Sequence, residues 1–305
     1  MMDSLNKQVI IVIGPTASGK TGLAIELAKL FDTVIISADS RQCFKELKIG
    51  VARPTEKQLS EVPHHFIASH SIEQEISVAD FEKYALEKTN SILTDKDTVI
   101  MEGGTGLYIR AFCEGLDDIP AVDPAIRERI TRIYEEKGIA WLQEELKIKD
   151  PSFAEKGEMM NPQRMMRALE VWEATGFSIL HFRKTEKAER PFKIIKIGID
   201  LPKPILNQSI DQRVDQMLQQ GLLNEVRSLI PYKHNNALRT VGYSELFEYL
   251  DGLVDLPEAV KFIKTHTRQY AKRQMTWFRR DPEIHWIPVP ELAQALLHIL
   301  PNKES

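Results

Sequence analysis

With 305 residues, 43% of them hydrophobic and 28% charged, the chain is long enough for a sizeable core and for two domains. A formal net charge of −4 excludes a global basic field, so any nucleic-acid surface must be local. The two cysteines, Cys43 and Cys113, are too few for a disulfide framework or a Cys-based metal cage. No apolar run reaches bilayer-spanning length and residues 1–8 lack the apolar core of a signal peptide, so a cytoplasmic protein without a membrane anchor is expected.

Val9 to Ile13 is a continuous, β-branched apolar run, the pattern of a buried central strand in a parallel sheet. The next eight residues, Gly14-Pro15-Thr16-Ala17-Ser18-Gly19-Lys20-Thr21, fit G-x-x-x-x-G-K-[ST]. Thr21 to Leu30 then reads as a helix, so the loop lies between strand and helix as a phosphate-binding loop must. Glycines let several backbone N–H groups face one anion, and the helix N-terminus adds its partial positive charge. Lys20 supplies a full charge and the Thr21 hydroxyl can hold Mg2+. ATP, GTP or another diphosphate all fit such a loop.

Thr33 to Ser37 predicts a second buried strand, followed by Ala38-Asp39-Ser40-Arg41-Gln42. Reacting groups in open α/β sheets collect beyond the carboxyl ends of strands, so Asp39 falls near the loop. It can serve as a general base, a Mg2+ ligand or a helix N-cap. His64 and His65 are adjacent and point apart on any regular element, so a turn or core role is expected there rather than a metal site. Asp97 to Met101 predicts a third strand, and its end, Met101-Glu102-Gly103-Gly104, offers no evident Walker B carboxylate. Gly103-Gly104-Thr105-Gly106 either brings backbone close to a ligand or simply turns the chain.

From about Pro120 to Arg190 the buried β runs give way to charged helical patterns. Asp123-Pro124 and Asn161-Pro162 are helix starts, and Gly176 is a matching stop. Trp141 and Trp172 read as anchors of this segment, and Met159, Met160, Met165 and Met166 as packing. Phe192 to Ile199 returns to strand, and the chain from about Ile205 reads as largely helical. Arg268, Lys272, Arg273, Arg279 and Arg280 form a basic stretch without an acid, interleaved with Tyr270, Trp277 and Phe278. That is the pattern of a phosphate-backbone contact or of a solvated face. The expected architecture is α/β: a P-loop NTPase-like doubly wound parallel sheet at 1–119 and 191–305, with a helical insertion at 120–190 and a helical C-terminal part.

Several of these segments together resemble the bacterial tRNA dimethylallyltransferases. The residues are Gly14–Thr21, Ile36–Gln42, Ile49–Pro54, Val62–His65, Gly103–Tyr108, Asn161–Arg164 with Arg167–Glu170, Arg213–Leu218, Val241–Tyr243 and Gln269–Gln274 with Thr276-Trp277. They run in family order over nearly the whole length, and their joint occurrence is specific where each alone, the phosphate loop excepted, is weak. The resemblance implies transfer of a dimethylallyl group from dimethylallyl diphosphate to N6 of adenosine 37 in tRNAs reading codons that begin with U. It implies that the loop holds the donor's leaving diphosphate, with Lys20, Arg213 and Mg2+ stabilising the charge that develops there. By the same resemblance Asp39 is the base or orienting acceptor for the adenine amine, with Thr105 assisting. The tRNA anticodon stem-loop is then met by Asp39, Ser40, Arg41, Gln42, Thr105, Arg127, Asn161, Pro162, Gln163 and Arg164, and by Arg268, Lys272 and Arg273. The adenine is expected to leave its stack to be reached, and a monomer is expected. Phe44, Ala68 and Cys43 depart from the family pattern, which often has tyrosine, aspartate and an aliphatic residue there. Prenylation of free adenine nucleotide, a small-molecule kinase and a non-catalytic RNA-binding protein are the competing readings.

Overall fold

The computed structural model describes residues 7–183 and 186–289. The polar opening residues 1–6 and the part of the expected helical tail beyond 289 lie outside the described residues. In chain order the first half comprises β1 (Gln8–Ile13), α1 (Lys20–Leu30), β2 (Ile35–Ser37), α2 (Glu56–Glu61), β3 (His64–His65), α3 (Val78–Ile92), β4 (Thr98–Gly103) and α4 (Gly106–Glu114). Then follow α5 (Pro124–Lys149), α6 (Pro151–Lys156), α7 (Pro162–Thr175), β5 (Lys193–Asp200), α8 (Lys203–Gln219), α9 (Leu222–Ser228), α10 (Tyr243–Leu250), α11 (Leu256–Phe278) and β6 (Ile284–Pro288).

Two compact units emerge: the described residues up to Cys113 together with those from Glu189 onward, and Glu114–Ala188. In the first, six strands form one sheet in the order β3-β2-β4-β1-β5-β6, with every pairing parallel. β1 is buried along its whole length. Its side chains alternate between two cores, Val9, Ile11 and Ile13 on one face and Ile10 and Val12 on the other. A continuous apolar run is what a strand buried on both faces requires, and each such side chain contributes roughly 1.5–3 kcal/mol of burial. The Ile10 face is covered by Leu23, Ala24, Ile25, Leu27 and Ala28 of α1. The opposite face carries Phe81 and Ala85 of α3, Ile109 and Phe112 of α4, and buried residues of α9 to α11.

Two expectations need correction. His64 and His65 form a short edge strand, β3, paired with Ile35 and Ile36 rather than a turn. The C-terminal part is largely helical as expected, and β6 adds an edge to β5. Both strands are short and half-buried, so neither shows the long apolar run that marks the central strands. The third central strand also runs past Met101 to Gly103, which matters for the site below.

In the unit Glu114–Ala188, α5 is kinked at Gly138, whose φ of 72° no side chain would tolerate easily. Asp123 and Asn161 accept N–H bonds from Ala125 and Arg164 as caps, and Gly176 ends α7 at φ 74°. The core is Ile130, Leu142, Leu146, Phe153, Met165, Met166, Ala168 and Leu169, with Trp141 against it. Met160 is 77% exposed, so the packing role expected for all four methionines fails there.

Candidate active site

The loop after β1 turns through left-handed backbone at Ala17 and Gly19, with φ 64° and 89°. It delivers Lys20 as the first residue of α1. That helix has no side-chain cap and no acid in its first turn, so its N–H groups stay available to an anion. The buried Ser18 hydroxyl in the same loop has no hydrogen-bond partner. Lys20 Nζ donates to the Pro15 carbonyl at 2.8 Å, which folds the ammonium back over the cradle.

Two later elements reach this loop. From α8, the Arg213 guanidinium lies 3.5 Å from the Thr16 hydroxyl. From α11, Gln274 staples two loops together. Its Oε1 accepts the Thr16 N–H and its Nε2 donates to the Gly104 carbonyl, both at 2.9 Å. A Cβ on Gly104 would stand 2.2 Å from Gln274 Nε2, and one on Gly103 would stand 2.3 Å from the Ala38 carbonyl. The glycines at and just after the end of β4 therefore serve close packing.

Asp39 follows β2. Its Oδ1 accepts the N–H groups of Arg41 and Gln42, at 2.8 and 3.2 Å, which fixes the carboxylate in a tight turn. The Thr105 hydroxyl accepts the Ser40 N–H at 3.0 Å, tying the loop after β4 to the one after β2. Glu102, at the end of β4, is 2% exposed. It sits in register with Val12 of β1 and Ser37 of β2, and the Thr21 hydroxyl faces its carboxylate. The absence of a strand-end carboxylate inferred from sequence is thus corrected. Reading the strand as ending at Met101 left Glu102 in a loop.

Thr16, Lys20, Thr21, Asp39, Glu102 and Arg213 border one cavity of about 160 Å³. Apolar side chains share its lining: Ile210, Val214 and Met217 from α8, Val241, and Ile263 from α11. Tyr270 is the one aromatic residue among its described lining residues. Burial dominates the electrostatics. It pushes the Lys20 ammonium below its ordinary pKa, partly offset by Glu102. It pushes the Glu102 carboxyl upward, with Lys20 opposing, and lowers Arg213, again against Glu102. The Tyr270 phenol is raised to about 12, first by burial and then by Asp39. Cys43 nearby, its thiol pushed up to about 12 by burial, is an inert core residue.

Arg41 and Gln42 also line the cavity. Gln42 is buried, and its amide donates to the carbonyls of Val51 and Ala52. Other sequence-predicted residues fall elsewhere. Arg127 belongs to the unit Glu114–Ala188 and pairs with the buried Glu170, which Arg167 also holds. Asn161 caps α7, Pro162 opens it, Gln163 is exposed on it, and Arg164 pairs with Glu158. On α11, Arg268 is engaged by Asp211 of α8, and Arg279 just past the helix by Asp200. The stretch read as free of acids is therefore partly neutralised by acids distant in sequence. Lys272 and Arg273 are exposed, Arg273 lying over the Tyr270 ring. Sequence reasoning missed Glu102 and the stapling role of Gln274. The buried β4 run continuing to a glycine pair is the signal for Glu102, whereas nothing local marks Gln274.

The fold and the site define a P-loop α/β protein whose glycine-bearing loop shares a cavity with strand-end carboxylates. The family model described as IPP transferase matches residues 42–281, and the chain belongs to that family. It is 45% identical to the tRNA dimethylallyltransferase of Cytophaga hutchinsonii over 96% of both chains. It is 46% identical to that of Christiangramia forsetii over 98% of this chain and 99% of the relative. Among solved structures, the full-length tRNA isopentenylpyrophosphate transferase of Bacillus halodurans superposes with a TM-score of 0.70 at 32% identity, covering 96% of this chain and 94% of that one. A eukaryotic dimethylallyltransferase acting on tRNA superposes with a TM-score of 0.77 at 26% identity, covering 95% and 76%.

Proposed function

We propose that this protein transfers a dimethylallyl group from dimethylallyl diphosphate to N6 of adenosine 37 in tRNAs reading codons that begin with U. The observation that carries the reading is the mixed lining of the cavity. Two cations, Lys20 and Arg213, share that lining with the apolar Ile210, Val214, Met217, Val241 and Ile263 and with Asp39. A prenyl diphosphate has the same mixture, an anionic head on an apolar tail, and the apolar lining is what a kinase acting on a small polar substrate would not need. Full-length relatives of more than 40% identity that are tRNA dimethylallyltransferases support the same reading.

In the reaction the allylic C–O bond breaks and the electron pair leaves with the diphosphate. Lys20, Arg213 and the α1 N-terminus stabilise that charge in a buried setting, where such contacts count most. The N6 lone pair forms the new C–N bond. Asp39 orients the amine and takes its proton on Oδ2, its Oδ1 being held by two N–H groups. Thr105 fixes the loop that carries Asp39. The Thr21 hydroxyl is a hard oxygen donor at the cradle and fits Mg2+, which when bound neutralises diphosphate charge. Gly14–Thr21 hold the diphosphate. Ser40, Arg41, Gln42, Arg127, Asn161–Arg164, Lys272 and Arg273 meet the anticodon stem-loop, and the enzyme works as a cytoplasmic monomer. Among the described residues no helix is long and apolar enough to cross a membrane.

Incubation with Mg2+, labelled dimethylallyl diphosphate and either unmodified tRNA or AMP tests this. Label should enter tRNA at adenosine 37 and not AMP. Transfer to neither acceptor would sink the reading, and transfer to AMP alone would select the free-nucleotide alternative.

A further inference from the structure

Besides the phosphate loop and the strand ends, two loops line the cavity, residues 50–52 and 240–242. One carboxylate ties them together. Glu225 of α9 accepts the Ile49 N–H on Oε2 at 2.8 Å and the Gly50 N–H on Oε1 at 3.1 Å. The same Oε1 accepts the Tyr243 hydroxyl at 2.6 Å. Tyr243 opens α10 directly after the loop 240–242 and is fully buried. Burial and then Glu225 raise the pKa of its phenol, so the hydroxyl remains a donor. The ring lies against Gly50, where a Cβ would stand 2.5 Å from it. Next along the first loop, Ala52 adopts φ 49°. Strained backbone of that kind persists only where its surroundings over-determine it.

The first loop leads on to Asp39. The carbonyls of Val51 and Ala52 accept the Gln42 amide at 3.3 and 3.2 Å, and Gln42 Oε1 accepts the Ser37 hydroxyl at 3.2 Å. Gln42 is 7% exposed, so its side chain is fixed from both ends. Its own N–H is one of the two that hold Asp39 Oδ1. A continuous run of hydrogen bonds and short backbone segments therefore joins the Tyr243 hydroxyl to the Asp39 carboxylate. Neither Tyr243 nor Glu225 is among the described lining residues of the cavity, so any effect they have on the reaction passes through that run. A misplacement of about 1 Å at a reacting group can cost on the order of 100-fold in rate.

We propose that Tyr243 and Glu225 are positioning residues for prenyl transfer: they seat residues 49–52, and that loop, through the Gln42 side chain, holds Asp39 where it meets the acceptor amine. This rests on the reading of Asp39 as the group that orients and deprotonates the amine, and deepens it by naming what keeps that group in place.

Tyr243→Phe tests it, because the ring against Gly50 stays and only the hydroxyl goes. Prenyl transfer to tRNA, calorimetric binding of pyrophosphate with Mg2+ and denaturant melts are compared with wild type. The kcat should fall about 10–100-fold. KM for the donor, and the affinity and stoichiometry for pyrophosphate, should stay within about twofold, because no bond in this run reaches the phosphate loop. Glu225→Gln should show the same split, and it carries the test if Tyr243→Phe melts early. Asp39→Asn closes a double-mutant cycle: in that background Tyr243→Phe should cost less than about twofold more, since the group being positioned is already lost. Wild-type kcat in Tyr243→Phe and Glu225→Gln overturns the proposal, and so does a fall in kcat matched by pyrophosphate stoichiometry, which is a loss of folded protein. An undiminished penalty in the Asp39→Asn background overturns it while leaving the reading of Asp39 intact. Wild-type kcat in Asp39→Asn itself overturns that reading and the positioning role together.

Discussion

Gln274 adds a side-chain tie between two loops that the pairing of β1 with β4 already brings together. Its two amide atoms satisfy the Thr16 N–H and the Gly104 carbonyl, so one side chain braces the phosphate loop against the loop after β4. Gln274→Leu keeps the volume and removes both partners. Orphaning each buried backbone group costs roughly 1–3 kcal/mol. The variant should therefore unfold at a clearly lower denaturant concentration, and pyrophosphate affinity measured by calorimetry should fall with it. Unchanged values for both would show that water replaces the amide. At the same scale, Ala68 adopts φ 46°, where an L residue is strained and aspartate or asparagine is better tolerated. The family's aspartate at this place suits that backbone, and the alanine here keeps the turn without the carboxylate.

At the scale of elements, α11 divides its charges. Arg268 faces inward to Asp211, whereas Lys272 and Arg273 are exposed. If α11 meets phosphates, Lys272→Ala and Arg273→Ala should each reduce the slope of log affinity for tRNA against log salt by about one. Arg268→Ala should leave that slope nearly unchanged. Filter-binding titrations across salt concentrations check this, and equal effects at all three positions would remove the distinction. The β5–β6 edge carries a different test. Lys196 is 4% exposed and donates to Asp281 and Glu283 at 2.7 and 2.8 Å. Burial alone would lower its pKa, but the hydrogen bonds to the two acids outweigh it and the net shift is upward. A raised folded-state pKa contributes stability that is complete below the ordinary value of 10.5 and is lost as pH rises through the folded-state value. Lys196→Met should cost roughly 1.5–3 kcal/mol at neutral pH. The gap from wild type in denaturant melts should stay constant to about pH 10 and narrow above it.

For the molecule as a whole, the chain leaves and re-enters the sheet-bearing unit at one place. The Ala188 N–H donates to the Glu114 carbonyl at 2.8 Å, so the two ends of the helical unit lie side by side. Replacing residues 116–186 with a short Gly-Ser linker should therefore leave the sheet-bearing unit folded and able to bind Mg2+ with pyrophosphate, while prenyl transfer to tRNA is lost. Circular dichroism, calorimetry and the transfer assay read the three outcomes. Transfer that survives would exclude a role for the helical unit in acceptor binding.

The sequence by itself determined the local parts. The apolar run of β1, the loop to Lys20 and the start of α1 are one contiguous segment whose period and glycines dictate their own conformation. The caps Asp123 and Asn161 and the stop at Gly176 were legible for the same reason, each acting within a few residues. Asp39 was legible because position beyond a parallel strand places it without knowledge of any partner. Tertiary structure alone decided the rest. The pairing of Arg268 with Asp211, the staple at Gln274 and the apolar lining from α8 and α11 join residues tens to hundreds of positions apart, and no local pattern encodes which long-range partner a side chain meets. Glu102 stands between the two cases. Its strand was read, but whether the last residues of that strand face a core or a cavity depends on what is packed beyond its end, and only the folded chain fixes that.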